Sequence, residues 1–346
     1  MSSKSFFKGK RIFISGACGT IGSEIIKQLV EDEINQVSQI IGIDNNESAL
    51  FYLEKEYETI PLVKTYLSDI RDKEHLLELM EGVDIVLHTA ALKHVHLCES
   101  SPSQAVATNI TGLQNIITSS NYHKVKNVIF TSSDKAVNPT NVMGTTKLTG
   151  ERLISAANQY SNKVGTKFSS TRFGNILGSN GSVIPIFKKQ IKRGGPITLT
   201  NRNMTRFVMT IEQAVKMVLT TTELSQGGEV FVTKMPAISI KDLAIAMIDF
   251  YAPKYGYNSN EIEIREIGNR PGEKLYEELL NQEETRRTIE LKDYFCVLPA
   301  FKANSKKAHN YQNIVSTEVT TDYSSSNVKL ASQAEITDLL LQVESS

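Results

Sequence analysis

Apolar positions in the first half of the chain follow two alternating periods. Arg11–Ser15 (R-I-F-I-S) is a short β-branched run ending at Gly16, and Thr20–Asp32 then spaces its apolar residues as a helix does. The exchange repeats along the chain. Gln39–Asp44 (Q-I-I-G-I-D) reads as a buried strand and Glu47–Tyr57 as a helix; Leu62–Leu67 reads as a strand and Lys73–Met80 as a helix. Asp84–Thr89 (D-I-V-L-H-T) and Asn127–Ser132 (N-V-I-F-T-S) are two further strands, followed by helices at Pro102–Ser120 and Asn141–Tyr160. Apolar strands separated by amphipathic helices imply βαβ units and a parallel sheet covered on both faces. Right-handed crossovers make it a doubly wound α/β sheet.

After Arg172 the alternation becomes irregular. Ile211–Leu219 reads as an amphipathic helix returning to the first domain, and Glu229–Lys234 as a further strand. Ser239–Phe250 and Leu275–Leu280 read as helices that join Thr198–Arg206 in a smaller mixed α/β domain. The expected division is 1–171 with about 211–235 for the sheet domain, and 172–210 with 236–346 for the smaller one. Two domains suit a chain of 346 residues. The Ser/Thr/Asn-rich stretch Asn304 to Asn327 reads as a loop or a crossing between domains.

Composition adds mainly exclusions. With 38 basic and 38 acidic side chains, the formal charge is zero, which gives no electrostatic footprint for nucleic acid. No run approaches the ~20 apolar residues that span a bilayer, and the N-terminus has no signal-peptide core. Three widely spaced cysteines (Cys18, Cys98, Cys296) form neither a disulfide framework nor a metal pattern. The expectation is a cytoplasmic protein with reduced thiols and no metal.

Two stretches carry chemistry. Gly16-Ala-Cys-Gly19-Thr20-Ile21-Gly22 lies between the first strand and the first helix. Glycines there let the backbone turn sharply and bring a pyrophosphate onto the helix N-terminus. Asp44 ends the second strand, where an acid accepts from ribose hydroxyls and repels a 2′-phosphate. Asn45 and Asn46 follow with no adjacent Arg or Lys, which favours NAD over NADP. Asp69 and Ile70, after the third strand, suit an edge contact to adenine or a plain solvated turn. The second stretch is S-S-D-K-A-V-N-P-T-N-V-M-G-T-T-K, from Ser132 to Lys147. It begins at a strand's carboxyl end, where doubly wound folds bind ligands, and puts Met143 and Lys147 on one helical face.

This stretch closely resembles the catalytic segment of short-chain dehydrogenases/reductases, in which a tyrosine stands four residues before the lysine. Met143 takes that place and can neither give nor take a proton. More narrowly, the chain resembles the nucleotide-sugar 4,6-dehydratases of the polysaccharide-biosynthesis branch of extended short-chain dehydrogenases, a subgroup of which carries methionine there. The likeness rests on S-S-D-K-A-V-N-P, on His88–Pro102 (H-T-A-A-L-K-H-V-H-L-C-E-S-S-P), on Thr171–Pro185 (T-R-F-G-N-I-L-G-S-N-G-S-V-I-P), on Met204–Thr210 (M-T-R-F-V-M-T) and on Asn269–Leu280 (N-R-P-G-E-K-L-Y-E-E-L-L).

The resemblance implies C4 oxidation of a hexose by NAD, loss of water across C5 and C6, and reduction at C6. Lys135 is the expected C5 base, its pKa lowered toward neutrality. Asp134 is the expected acid for the C6 hydroxyl, its pKa raised. Ser132 and Ser133 are expected on the C4 hydroxyl, and Lys147 on the nicotinamide ribose. Which of Asp134, Lys135, a serine or water takes the C4 proton stays open. The resemblance adds Ala90, Ala91, Lys93 and Asn109 to the cofactor site. It assigns Lys93, Glu99, Asn175, Ser182, Val183, Arg206, Met209, Arg270 and Glu273 to the sugar nucleotide. It further implies UDP-N-acetylglucosamine as substrate, a role in surface-glycan or modified-sugar biosynthesis, and a homo-oligomer. The alternatives are a sugar-nucleotide C4 epimerase and a non-catalytic dinucleotide-sensing protein of the same fold.

Overall fold

The computed structural model describes residues 6–32, 36–160, 165–179, 182–268, 272–300 and 311–345. Strand and helix alternate from the start: β1 (Arg11–Ser15), α1 (Thr20–Glu31), β2 (Gln39–Asp44), α2 (Glu47–Glu56), β3 (Val63–Leu67), α3 (Lys73–Leu79) and β4 (Ile85–His88). Two short helices, α4 (Val95–Ser100) and α5 (Pro102–Val106), precede α6 (Leu113–Tyr122), β5 (Asn127–Ser133) and α7 (Val142–Tyr160). β6 (Lys167–Phe173) closes this half. There follow β7 (Asn175–Ile176), α8 (Val183–Ile191), β8 (Ile197–Leu199), β9 (Thr205–Met209), α9 (Ile211–Leu224) and β10 (Val230–Thr233). The remainder comprises β11 (Ala237–Ser239), α10 (Ile240–Tyr251), β12 (Ile264–Glu266), β13 (Glu278–Leu280), α11 (Gln282–Thr285), β14 (Thr288–Leu291), β15 (Tyr294–Val297), β16 (Ile314–Ser316), β17 (Tyr323–Ser324) and α12 (Gln333–Ser345).

The main sheet runs β16-β14-β15-β10-β6-β5-β4-β1-β2-β3. From β3 to β10 all pairings are parallel, and β15, β14 and β16 add an antiparallel edge. Strand order reverses between β1 and β4, so a crevice opens at their carboxyl ends, the usual binding place in doubly wound sheets. β1 is buried along Ile12, Phe13 and Ile14 because helices cover both faces. On one face Ile25, Ile26 and Leu29 of α1 share a core with Ala214, Val215 and Val218 of α9. On the other, Leu76 of α3, Ile116 of α6 and Ile154 of α7 pack with Phe13, Val128 and Phe130. A separate core joins α8, α10, α12 and β8 through Phe187, Leu243, Met247, Ile197 and Leu340. Three strands of the stretch 236–346, β14, β15 and β16, lie in the main sheet rather than around this smaller core.

Local structure departs from the sequence reading in three places. The helix expected over Pro102–Ser120 is interrupted at Ala107–Gly112 by a wide π turn, a distortion often found at functional sites. Leu275–Leu280 is not a helix. Thr205 N–H donates to the Leu275 carbonyl, Ser325 N–H donates to the Glu277 carbonyl, and Glu278–Leu280 pairs antiparallel with β17. Tertiary partners there take the backbone groups that a helix needs for itself. Of the stretch Asn304–Asn327, residues 304–310 lie outside the described residues, and β16 and β17 form within the rest. Among the described residues no helix is long and apolar enough to cross a membrane, and no group of His, Cys, Asp and Glu could hold a metal ion.

Candidate active site

The glycine loop is shaped by close approach. Gly16 has φ +73°, and a Cβ there would stand 2.8 Å from the Ala90 backbone; one on Gly22 would stand 2.2 Å from the Gly16 carbonyl oxygen. Any side chain would push α1 off the loop, which explains the spacing G-x-x-G-x-x-G. Gly19 is the N-cap of α1 and supplies no side-chain cap, and no acidic residue stands in the first turn. The amides of Thr20, Ile21 and Gly22 therefore head a helix whose positive end is left for an anion. A dinucleotide diphosphate fits such a loop.

Asp44 closes the loop from the side. Its carboxylate accepts from Cys18 N–H at 3.1 Å and Asn46 N–H at 3.0 Å. Asp69 accepts from Asn45 at 3.2 Å and pairs with Arg71 at 2.6 Å, which holds it down to about 2. A guanidinium from the next βα loop thus shares the Asp69 carboxylate with Asn45, the residue after Asp44. Ile70 is buried against Gly112. Asn109, in the π turn, clasps Leu92 through both its N–H (2.8 Å) and its carbonyl (3.0 Å) and donates to Thr146 Oγ1 at 2.9 Å. That bond ties the Ala90–Lys93 loop to α7. Ala90 and Ala91 are partly exposed at the crevice, and Lys93 is exposed. Glu99 accepts from Val142 N–H at 2.6 Å, at the start of α7.

β5 ends in a single tight turn, Asp134–Ala136. Ser133 Oγ accepts from Lys135 N–H at 3.3 Å and donates to Asp134 Oδ1 at 2.7 Å, so the turn presents two adjacent side chains to one place. Lys135 Nζ lies 3.0 Å from Asp134 Oδ2, 3.4 Å from Asn175 Oδ1 and 3.5 Å from Glu277 Oε1. When protonated, Glu277 donates a hydrogen bond to Asp134; it also pairs with Arg206 Nε at 3.2 Å and accepts from Asn175 at 3.2 Å and from Phe207 N–H at 3.3 Å.

The charges here are opposite to those the sequence suggested. Burial pushes the Lys135 ammonium down, but the Asp134 and Glu277 carboxylates outweigh it and hold its pKa above the ordinary lysine value. Burial pushes Asp134 up, but Lys135 and a hydrogen bond from Ser133 hold it below the carboxylate range. The raised carboxyl is Glu277, pushed up to about 7 by burial and by the neighbouring Asp134 charge. Sequence reading passed over it, although it lies in the quoted block at Asn269–Leu280. Glu273, assigned from that block, is exposed, and Arg270 lies outside the described residues.

Behind the turn the side chains serve the scaffold. Ser132 donates to Glu151 Oε1 at 2.6 Å, on the opposite side of β5 from Ser133. Glu151 and Glu284 bracket the fully buried Arg172, with contacts of 2.6 and 2.9 Å to its Nη2. Lys147 Nζ donates to the Thr131 carbonyl at 2.8 Å and lies 4.7 Å from the centre of the Phe130 ring; burial lowers its pKa to about 8. Met143 is buried against Cys98 and Ala105. Met209 is buried in the core of the main sheet. Ser182 and Val183 begin α8; the Ser182 hydroxyl is enclosed, and Asn180 and Gly181 lie outside the described residues.

Fold and crevice together define an extended short-chain dehydrogenase/reductase. The chain belongs to the polysaccharide biosynthesis protein family, whose pattern matches residues 12–299. It is 50% identical over 295 residues (85% of this chain, 87% of the relative) to a protein of Methanocaldococcus jannaschii named an uncharacterized membrane protein. It is 38% identical over 297 residues (86% and 85%) to UDP-N-acetylglucosamine 4,6-dehydratase (inverting) of Campylobacter jejuni. UDP-glucose 4-epimerase of Rickettsia massiliae is 35% identical over 339 residues (98% and 97%). Among solved structures, Pen from Bacillus thuringiensis superposes with a TM-score of 0.88 at 39% identity, covering 97% of this chain and 98% of that one.

Proposed function

We propose that this chain is a nucleotide-sugar 4,6-dehydratase, that its substrate is UDP-N-acetylglucosamine, and that it acts in surface-glycan or modified-sugar biosynthesis. The observation that carries the reading is the Asp134–Lys135 pair at the carboxyl end of β5, bridged by Glu277, in a chain whose Met143 has no proton to offer. The Campylobacter relative's name supports the substrate.

NAD would be held by Gly16, Gly19, Thr20, Ile21 and Gly22 at its diphosphate, by Asp44 at the adenosine ribose and by Lys147 at the nicotinamide ribose. When bound it supplies hydride acceptance at C4 and hydride return at C6. The chain's own residues move protons. Asp134 and Lys135 rest as an ion pair, which is neither acid nor base for elimination. Transfer of one proton across their 3.0 Å contact gives a free amine and a protonated carboxyl together. Exclusion of water by the sugar favours that neutral form. The amine then takes the C5 proton while Asp134 protonates the departing C6 hydroxyl, and the ion pair is restored. Asn175 and Arg206 face the sugar nucleotide in this reading.

Incubation with UDP-N-acetylglucosamine and a catalytic amount of NAD tests it. Mass spectrometry is expected to show loss of one water with no net NADH. A product of unchanged mass, epimerised at C4, sinks the dehydratase reading in favour of an epimerase, the activity the Rickettsia relative is named for.

A further inference from the structure

Within the dehydratase reading, the protons do not close on Asp134 and Lys135 alone. Elimination takes one proton at C5 and gives one to the C6 oxygen, and these two residues balance it between them. Reduction returns one proton to C5. The proton released from the C4 hydroxyl therefore goes either to solvent or to a further group that holds it until C5 is protonated, because Met143 has no site for it.

Glu277 reaches both members of the pair. It enters from the segment before β13, lies 3.5 Å from Lys135 Nζ, and donates a hydrogen bond to Asp134 once it carries a proton. It is buried, and the charged groups facing it are Asp134 and Lys135 from the turn after β5 and Arg206 from β9, with Asn175 from β7 as the uncharged neighbour. Its neighbour Glu278 points away, to Lys274 and Asn138. Two cations beside two carboxylates allow Glu277 to be ionised, and a carboxyl poised near neutrality can both take and return a proton.

We propose that Glu277 is the proton store of this site, taking the C4 hydroxyl proton through Asp134 at oxidation and returning it to Lys135 after reduction. The cycle begins with Lys135 as ammonium and both carboxyls ionised. As the C4–H bond gives up its hydride, the hydroxyl O–H breaks, and its proton passes to Asp134 and on to Glu277. Lys135 then hands a proton to Asp134. The C5–H bond breaks onto the Lys135 amine, the C6–O bond breaks, and the oxygen leaves as water with Asp134's proton. Hydride adds at C6 and Lys135's proton at C5. Glu277 reprotonates Lys135. Two protons leave the sugar and two return, one as water's and one at C5.

The test uses full-length protein and Glu277→Gln, which keeps a hydrogen bond to Asp134 but stores no proton. Wild type is expected to release no proton to solvent in the single-turnover oxidation phase, read with a pH indicator dye, and to show kcat/KM rising through one ionisation near pH 7. The variant is expected to release one proton per site in that phase, to lose that ionisation, and to fall about 10²-fold in kcat with an unchanged melting temperature. A variant that keeps wild-type kcat and pH profile overturns the proposal. Infrared spectroscopy of substrate-free wild type supplies a readout independent of turnover. A protonated-carboxyl band that titrates near pH 7 and is missing in Glu277→Gln is expected, and its absence from wild type overturns the store. If the variant does not fold, the wild-type band and its shift in Glu277→Asp decide. Failure of wild type to dehydrate any nucleotide sugar while that band is present sinks the dehydratase reading instead, leaving the carboxyl pair intact.

Discussion

Lys135 Nζ sits between two carboxylates that reach it from opposite parts of the chain, 3.0 Å from Asp134 and 3.5 Å from Glu277. A lysine so placed is a cation in the resting protein, and in the proposed mechanism its conversion to a base is a step of the reaction rather than a property of the fold.

Lys135→Ala is therefore expected to lower kcat by at least about 10²-fold and to stop exchange of the C5 hydrogen with deuterated solvent, followed by proton NMR. Substrate binding measured by calorimetry should change far less. C5 exchange at the wild-type rate in this variant removes Lys135 as the C5 base.

Met143 fills an apolar pocket with Cys98 and Ala105. Met143→Leu conserves volume and should cost less than about 1.5 kcal/mol, with turnover within a few-fold of wild type. Met143→Tyr adds a ring to a closed pocket and should cost about 1–3 kcal/mol. Denaturant melts and turnover check both. A Leu variant that is stable yet inactive would give the sulfur a chemical role.

Arg172 neutralises Glu151 and Glu284 where water does not reach. Its replacement by Leu leaves two buried carboxylates without their paired guanidinium and should cost about 3–5 kcal/mol. In wild type, burial raises Glu284 but Arg172 outweighs it and holds the group below its ordinary value. Its contribution is thus present above the ordinary carboxylate pKa and lost as pH falls through the lower folded value. Without Arg172, burial carries the folded pKa of Glu284 above its unfolded value, so Arg172→Leu should gain stability on mild acidification while wild type does not. Urea titrations across the acid range separate the two signs.

Burial carries Lys147 from 10.5 to about 8. The unfolded chain then binds a proton that the folded chain lacks, so stability should rise by ~3 kcal/mol as pH climbs from about 8 to about 10.5. Lys147→Met should flatten that rise, and NAD titration should show weaker binding. An unchanged slope in the Met variant would place the titration on another group.

Periodicity alone determined the parallel sheet and its crevice, because fully apolar strands and one-faced helices have few other ways to be buried. Spacing picked out the glycine loop between β1 and α1, and resemblance to a known family picked out the turn carrying Asp134 and Lys135; both are local features whose backbone is set by neighbours in sequence. Tertiary structure decided the protonation of that site. Glu277 arrives from just before β13, Arg206 from β9 and Asn175 from β7, and a pKa depends on every charge within a few ångströms, whatever its distance along the chain. The same holds for Ser132, drawn to Glu151 rather than to the crevice, and for Leu275–Leu280, where partners across space outweighed a helical pattern. The stretch Ser132 to Lys147 supplies Asp134 and Lys135, while the second carboxyl beside them, Glu277, comes from far along the chain.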